Sequence, residues 1–238
     1  MILLIPTLIF AVVFLILSIP LMIYEKQYRK TNPAKADMQS LRIVQWALKT
    51  VGILAGVKTK VTGLENIPKD EAVLYVANHN GIFDVVATYP LMPCPTGFVA
   101  KKSVAKVPLL STWMRRLHCL FLDRHDPRAG MQMILDSIDL IKSGVSVLIF
   151  PEGTRSKDGK LGEFKPGAVK MASKTGCAII PIAITGTREC LEGRKFFRFR
   201  LPVTVTFGKP IYPKDLDKEQ QKFLAAYVQE KVEELLEE

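Results

Sequence analysis

From residue 58 onward, short β-rich runs alternate with helical stretches, and this alternation limits the possible folds more than any other feature of the chain. The runs are VLYVA (73–77), GFVAK (97–101), LFL (120–122), SVLIF (146–150), AIIPIAI (178–184) and FRFRLPVTVTFG (197–208). Between them lie expected helices near 84–91, 105–116, 128–143 and 166–175, with a terminal helix over 215–237. Strands alternating with helices predict an α/β domain with a central, mostly parallel sheet flanked by helices. In the last run Phe197, Phe199, Leu201, Val203, Val205 and Phe207 share one face, while Arg198, Arg200, Thr204 and Thr206 take the other. That strict period of two is the pattern of a half-buried strand. Beside it, GRKFF (193–197) is a basic, aromatic patch of the kind that touches anionic lipid, with solvated charge as the competing reading.

The first 24 residues carry no charge. At about 1.5 Å per residue, a helix of this length spans the roughly 30 Å hydrocarbon core of a bilayer. A cleaved signal peptide normally has a basic start and a small-residue cleavage site, and both are missing. The expectation is a retained anchor, with Lys26, Arg29, Lys30 and Lys35 placing its C-terminal side in the cytoplasm. Pro6 and Pro20 leave open a kinked segment that enters the bilayer without crossing it. In LRIVQWALKTVGILAGV (41–57), Leu41, Val44, Leu48, Val51 and Leu54 recur at helical spacing, with Arg42, Gln45 and Lys49 off the stripe. Two readings stand: a helix packed on the domain core, or one lying in the membrane interface, which suits Trp46. The expected division is a membrane anchor and amphipathic helix over 1–57 and an α/β domain over 58–238.

Cys94, Cys119, Cys177 and Cys190 lie far apart and form no Cys-x-x-Cys motif, so they read as small buried hydrophobes in a reducing compartment. With three histidines in 238 residues, no metal site is expected. A net charge of +10 raises nucleic-acid binding, but no recognisable binding motif accompanies it, and none is expected.

Two segments carry chemistry. His79 and Asp84 in VANHNGIFD have the same spacing as His118 and Asp123 in HCLFLD. His118 leads straight into an apolar strand, which sets the ends roughly 16 Å apart on opposite faces, so that pair is excluded. On a continuous helix His79 and Asp84 would lie about 140° apart and fail as well. A turn through Asn80-Gly81, between the strand 73–77 and a helix starting near 82–84, brings them together instead. His79 then projects from the C-terminal edge of the sheet, where α/β proteins bind ligands, with Asp84 fixing its tautomer. An ordinary loop-to-helix turn is the alternative.

The strand SVLIF runs likewise into PEGTRSKDGK (151–160). Gly153 permits close backbone approach, Thr154 adds a hydroxyl, and Arg155 offers a planar fork suited to phosphate. Taken alone, the segment also reads as a solvated turn. Lys165 and Arg124 add cations, Arg124 just past a strand. No Gly-x-Ser-x-Gly elbow occurs, and no cysteine neighbours the candidate base His79, so the dyad is expected to activate a substrate hydroxyl. Together these features predict group transfer to a phosphate-bearing alcohol beside a membrane.

At these residues the chain resembles the 1-acylglycerol-3-phosphate acyltransferase (lysophosphatidic acid acyltransferase) family over roughly 60–210. His79 to Asp84 matches its His-x4-Asp motif, Leu120–Arg124 its second block, Phe150–Ser156 its third and Ile179–Ile182 its fourth. The second block departs at His118, where the family usually has glycine. The resemblance implies the glycerolphosphate acyltransferase fold and acyl transfer from acyl-CoA or acyl carrier protein to the sn-2 hydroxyl of lysophosphatidate, giving phosphatidate. It implies His79 as base and Asp84 as its orienting partner, with no acyl-enzyme. Arg155, aided by Arg124 and Lys165, would hold the acceptor phosphate, and Glu152, Gly153 and Thr154 would shape the site. It implies neither a metal nor a permanently bound cofactor, the thioester being a co-substrate. The expected place is the inner membrane, in contact with anionic lipid, with the α/β domain on the cytoplasmic face. Another lysolipid acceptor, or an inactive membrane-anchored lipid-binding protein, is the alternative.

Overall fold

A computed structural model describes residues 4–192 and 201–237. The patch GRKFF, and Phe197 to Arg200 of the last strand-like run, lie outside the described residues. Strands β1 (Val57–Thr62), β2 (Leu74–Ala77), β3 (Thr96–Lys101), β4 (Leu120–Leu122), β5 (Ser146–Ile149), β6 (Ile179–Thr185) and β7 (Leu201–Phe207) form one sheet in the order β1-β7-β6-β2-β5-β3-β4. Every pairing is parallel except β6 with β7. The expected α/β architecture with a mostly parallel sheet is therefore the one observed.

Both faces of the central strands are buried, as a parallel sheet requires. In β2, Tyr75 and Ala77 point into a cluster with Leu148, Ile180 and Ile182, while Leu74 and Val76 face Val147, Ile149 and Ile179 on the other side. The first face is covered by α3 (Pro33–Leu54) and α4 (Phe83–Thr88). The second lies under α6 (Pro127–Lys142), α7 (Lys170–Thr175) and α9 (Leu224–Glu237). The described part of β7 keeps its period of two, with Leu201, Val203, Val205 and Phe207 buried.

Three expectations need correction. The uncharged N-terminus is not one helix: α1 (Leu4–Leu17) and α2 (Ile19–Tyr28) meet at a 46° bend. Ser18 turns its hydroxyl onto the Leu15 carbonyl at 2.8 Å, and Pro20 in the first turn of α2 has no N–H to continue the ladder. Among the described residues no single helix is long and apolar enough to cross a membrane, although the bent pair is so by length and composition. The segment 41–57 is not helical throughout either. Its helix begins at Pro33 and stops at Leu54, and Val57 opens β1, a strand that sequence reasoning missed. Finally, Gln45, expected off the apolar stripe, is buried, because its amide donates to the Tyr89 and Met92 carbonyls at 3.3 and 2.7 Å. Of the two readings of this helix, packing on the domain core is the one its contacts bear out. Leu41 packs in the core, while Trp46 is 58% exposed and meets Phe10 and Phe14 of α1.

A buried ionic cluster ties α2 and α3 to α5 (Leu110–Arg116). Arg116 binds the fully buried Glu25 carboxylate and the Met22 carbonyl, and Ser40 donates to Glu25 at 3.1 Å. Arg29 binds Asp37, so this cation belongs to the cluster as well as to the basic flank of the apolar segment. Burial pushes the Asp37 carboxyl up, but contacts with His118 and Arg29 outweigh it and hold the group below its ordinary value.

Candidate active site

The C-terminal ends of five parallel strands lie along one edge of the sheet. Register pairs Val76 with Ile149, Ala77 with Ile182 and Lys101 with Leu122, so the loops after β2, β5, β6, β3 and β4 emerge side by side. This is where α/β sheets place their ligands, and His79, Asp84, Arg124, Glu152 to Arg155 and Lys165 all lie in or just after the loops that leave it.

The loop after β2 closes as expected. His79 Nδ1 lies 2.7 Å from Asp84 Oδ2, and the same oxygen accepts the Asn80 and Gly81 N–H groups at 2.7 and 2.9 Å. Its partner Oδ1 accepts the hydroxyl of Thr187, from the turn that follows β6. Asp84 is fully buried, and an isolated carboxylate there would be costly, but four donors surround it. An ionised carboxylate only accepts, so the neutral ring carries its proton on Nδ1 and keeps the Nε2 lone pair free. Asn78 and Asn80 fasten the turn to β6: Asn78 exchanges two hydrogen bonds with the Ile184 backbone, and Asn80 adds a third at 2.9 Å.

The loop after β5 supports this turn from the other side. Phe150 stacks on the His79 ring, with centroids 4.1 Å apart. Glu152, almost fully buried, accepts the His79 N–H at 2.6 Å with one oxygen and the Gly162 N–H at 3.0 Å with the other. Burial, with a smaller contribution from the nearby Asp84, raises its pKa above the ordinary carboxylate value against the pull of those N–H groups. Ser156 N–H closes the frame on the His79 carbonyl at 2.8 Å. Glu152 thus holds the backbone of His79 in place.

Next to Glu152, which forms part of its wall, opens a cleft of about 710 Å³ lined by Lys101, Lys102, Ser103, Lys106, Leu122, Asp123, Arg124, His125, Gly153, Thr154 and Lys165. Gly153 is needed there for its φ of +72°; a Cβ on it would also meet Lys165 Nζ at 2.8 Å, a contact the flexible lysine end can relieve by shifting. The cleft brings together Arg124, Thr154 and Lys165 as expected, but Arg155 is not among its lining residues. Arg155 Nη1 is held by Glu192 at 2.6 Å. Burial, and then the charge of Arg155, hold Arg124 below its ordinary value, so the two cations oppose each other.

Sequence reasoning missed Lys101, Lys102, Lys106, Thr187 and Glu192. The lysines were open to the argument that found Arg124, since they follow the strand GFVAK directly. Thr187 follows the last residue of a buried strand in the same way. Nothing local marked Glu192. Among the described residues, no group of three or more His, Cys, Asp and Glu side chains could hold a metal ion.

The second His-x4-Asp spacing does not close. His118 Nε2 lies 3.1 Å from Asp37 Oδ2, an ion-pair contact without directional alignment, whereas Asp123 faces Lys102 at 3.3 Å. His118 takes φ +59°, the left-handed region that glycine enters freely, so the second block keeps the backbone shape a glycine would give it.

A family model described as Acyltransferase matches residues 58–185, over half of the chain. The chain belongs to this family. The acyltransferase match contains His79, Asp84, Arg124, Glu152 to Arg155 and Lys165, and Thr187 lies just beyond it. A chloroplastic 1-acyl-sn-glycerol-3-phosphate acyltransferase of Brassica napus is 36% identical over 176 residues, 72% of this chain and 50% of the relative. A 1-acyl-sn-glycerol-3-phosphate acyltransferase of Borreliella burgdorferi is 30% identical over 184 residues, 77% of this chain and 74% of its own. The chain spans about half the length of the chloroplastic relatives it matches. The crystal structure of the 1-acyl-sn-glycerophosphate (LPA) acyltransferase PlsC from Thermotoga maritima superposes with a TM-score of 0.80 at 28% identity, covering 99% of this chain and 96% of that one.

Proposed function

We propose that the chain transfers a fatty acyl group from an acyl thioester, acyl-CoA or acyl carrier protein, to the sn-2 hydroxyl of 1-acyl-glycerol-3-phosphate, giving phosphatidate. The observation that carries the reading is a buried, fully hydrogen-bonded carboxylate orienting a histidine whose backbone is held by Glu152, a residue that also lines the basic cleft. The names of the similar proteins point the same way.

In this reading His79 Nε2 takes the proton of the acceptor hydroxyl as its oxygen bonds to the thioester carbonyl carbon. Asp84 stabilises the imidazolium that forms, and its four donors keep it an acceptor throughout. The tetrahedral intermediate collapses to the ester and expels the thiolate, which takes the proton back from Nε2. No acyl-enzyme and no permanently bound cofactor are involved. Arg124, Thr154, Lys165 and Arg155 bind the acceptor phosphate, with Gly153 giving it room and Glu152 fixing His79. The α1–α2 pair enters the inner membrane from the cytoplasmic side and contacts anionic lipid, keeping the edge of the sheet near a lipid acceptor that stays in the bilayer. In support, Leu8, Leu17 and Ile23 are each more than 65% exposed, a costly surface in water.

The test is to incubate purified protein with lysophosphatidate and a labelled thioester of each kind, wild type beside His79→Ala. The expected outcome is labelled phosphatidate from the wild type alone. Equal turnover by the variant would overturn the mechanism, and acylation confined to a different lysolipid would reassign the acceptor.

A further inference from the structure

Glu192 has no role in the reaction above, yet its carboxylate lies against the machinery. Its Oε1 accepts Arg155 Nη1 at 2.6 Å and the Ile82 N–H at 2.9 Å. Its Oε2 lies so close over Gly81 that a Cβ there would be 2.6 Å away. One carboxylate oxygen held by a guanidinium and a main-chain N–H occupies the same donor set that binds a phosphate oxygen. The pair draws Arg155 away from the cleft that contains Arg124 and Lys165, although Arg155 is near enough to Arg124 to oppose its charge.

We propose that Glu192 is an internal stand-in for the acceptor phosphate, a carboxylate that the substrate must displace, and that it thereby selects for phosphate monoesters. The inference rests on the reading that Arg155 binds the acceptor phosphate. A phosphate monoester carries about −1.5 to −2 charge at pH 7. It therefore outcompetes a single carboxylate for Arg155 and answers Arg124 as well, relieving the repulsion between the two arginines. A phosphodiester headgroup carries only one negative charge, no more than Glu192 itself, and gains little by displacing it. Release of Glu192 returns Arg155 to the cleft only when a dianion is there to hold it.

The experiment compares wild type, Glu192→Gln and Arg155→Ala, each checked for an unchanged melting temperature. Steady-state constants are measured for lysophosphatidate, for a lysolipid phosphodiester of glycerol and for the acyl donor. Glu192→Gln keeps the volume and an acceptor for the Ile82 N–H but gives up the charge. It is expected to lower the KM for lysophosphatidate about threefold to tenfold, because the competent state is no longer taxed by the closed one. The preference for monoester over diester, as a ratio of kcat/KM, should narrow by a similar factor, with the donor KM unchanged. A rise in the lysophosphatidate KM would overturn the proposal, since Glu192 would then only orient Arg155. An unchanged preference would overturn it too. A normal lysophosphatidate KM in Arg155→Ala would remove the phosphate-binding reading itself, whatever Glu192→Gln does.

Discussion

The chain contains two histidines followed five residues later by an aspartate, and the structure uses them in opposite ways. His79 and Asp84 close on each other at 2.7 Å, across a turn fastened by Asn78, Asn80 and Thr187. His118 and Asp123 are separated by β4 and take other partners: Asp37 for the histidine and Lys102 for the aspartate. The first pair gathers donors around a buried carboxylate, next to a glutamate that also lines the cleft. Of the second pair, His118 serves the joint between the N-terminal helices and the sheet, while Asp123 lines the cleft. Spacing in sequence is thus permissive. What separates a reactive dyad from two unrelated side chains is whether a turn or a strand fills the interval.

The comparison is tested most severely by removing these side chains. His79→Ala and Asp84→Ala are expected to lower kcat/KM for acyl transfer by about a hundredfold to ten-thousandfold, whereas His118→Ala leaves it within about twofold in folded protein. If the His118 variant lost activity to the same degree while staying folded, the distinction between the pairs would fail.

Asp37→Asn should act on stability and leave chemistry alone, at a cost of about 1.5–3 kcal/mol for a charged hydrogen bond. The sign of its pH dependence is set by the lowered pKa of Asp37. A depressed carboxyl stabilises the fold above its unfolded pKa, about 3.9, and that stabilisation is lost as pH falls through the folded value. The deficit of the variant is therefore full near pH 7 and shrinks toward pH 3. Unfolding followed at both pH values measures it, and a pH-independent deficit would refute the charge argument.

Thr187→Val removes one donor from Asp84 and should reduce kcat by about tenfold, the worth of roughly one hydrogen bond to a charged group. Thr187→Ser, which returns the hydroxyl to Asp84, restores the rate. The smallest effects fall at residue 118. His118→Gly suits φ +59° and should change stability by no more than about 1 kcal/mol, the gain in backbone freedom offsetting the lost Asp37 contact. His118→Val forces a β-branched residue into the left-handed region and should cost about 1–3 kcal/mol by thermal melting.

Much of this was legible in the chain. The strands of the sheet centre are short apolar runs bounded by turn residues, and all were placed from sequence to within a residue or two. The edge strand β1 was missed because VKTKVT is mostly exposed, and its identity comes from pairing with β7 far away in sequence. Gln45 was misread because its partners, the Tyr89 and Met92 carbonyls, belong to a loop that no local pattern connects with it. Within the site, His79, Asp84 and Gly153 were readable from turn chemistry at strand ends. Glu152 was named, but its double hold on the His79 and Gly162 N–H groups was not.

The sequence by itself determined the α/β class and the placing of His79, Asp84, Arg124 and Glu152 to Arg155 just past strand ends, because each follows from local periodicity or from the backbone demands of a few adjacent residues. Tertiary structure alone decided what those residues meet. Only the register of β2 against β5 and β6 sets Phe150, Glu152 and Thr187 around the dyad. Only the return of the chain after β6 puts Glu192 on Arg155. Such contacts depend on distances between segments far apart in the chain, which packing fixes and local pattern does not encode.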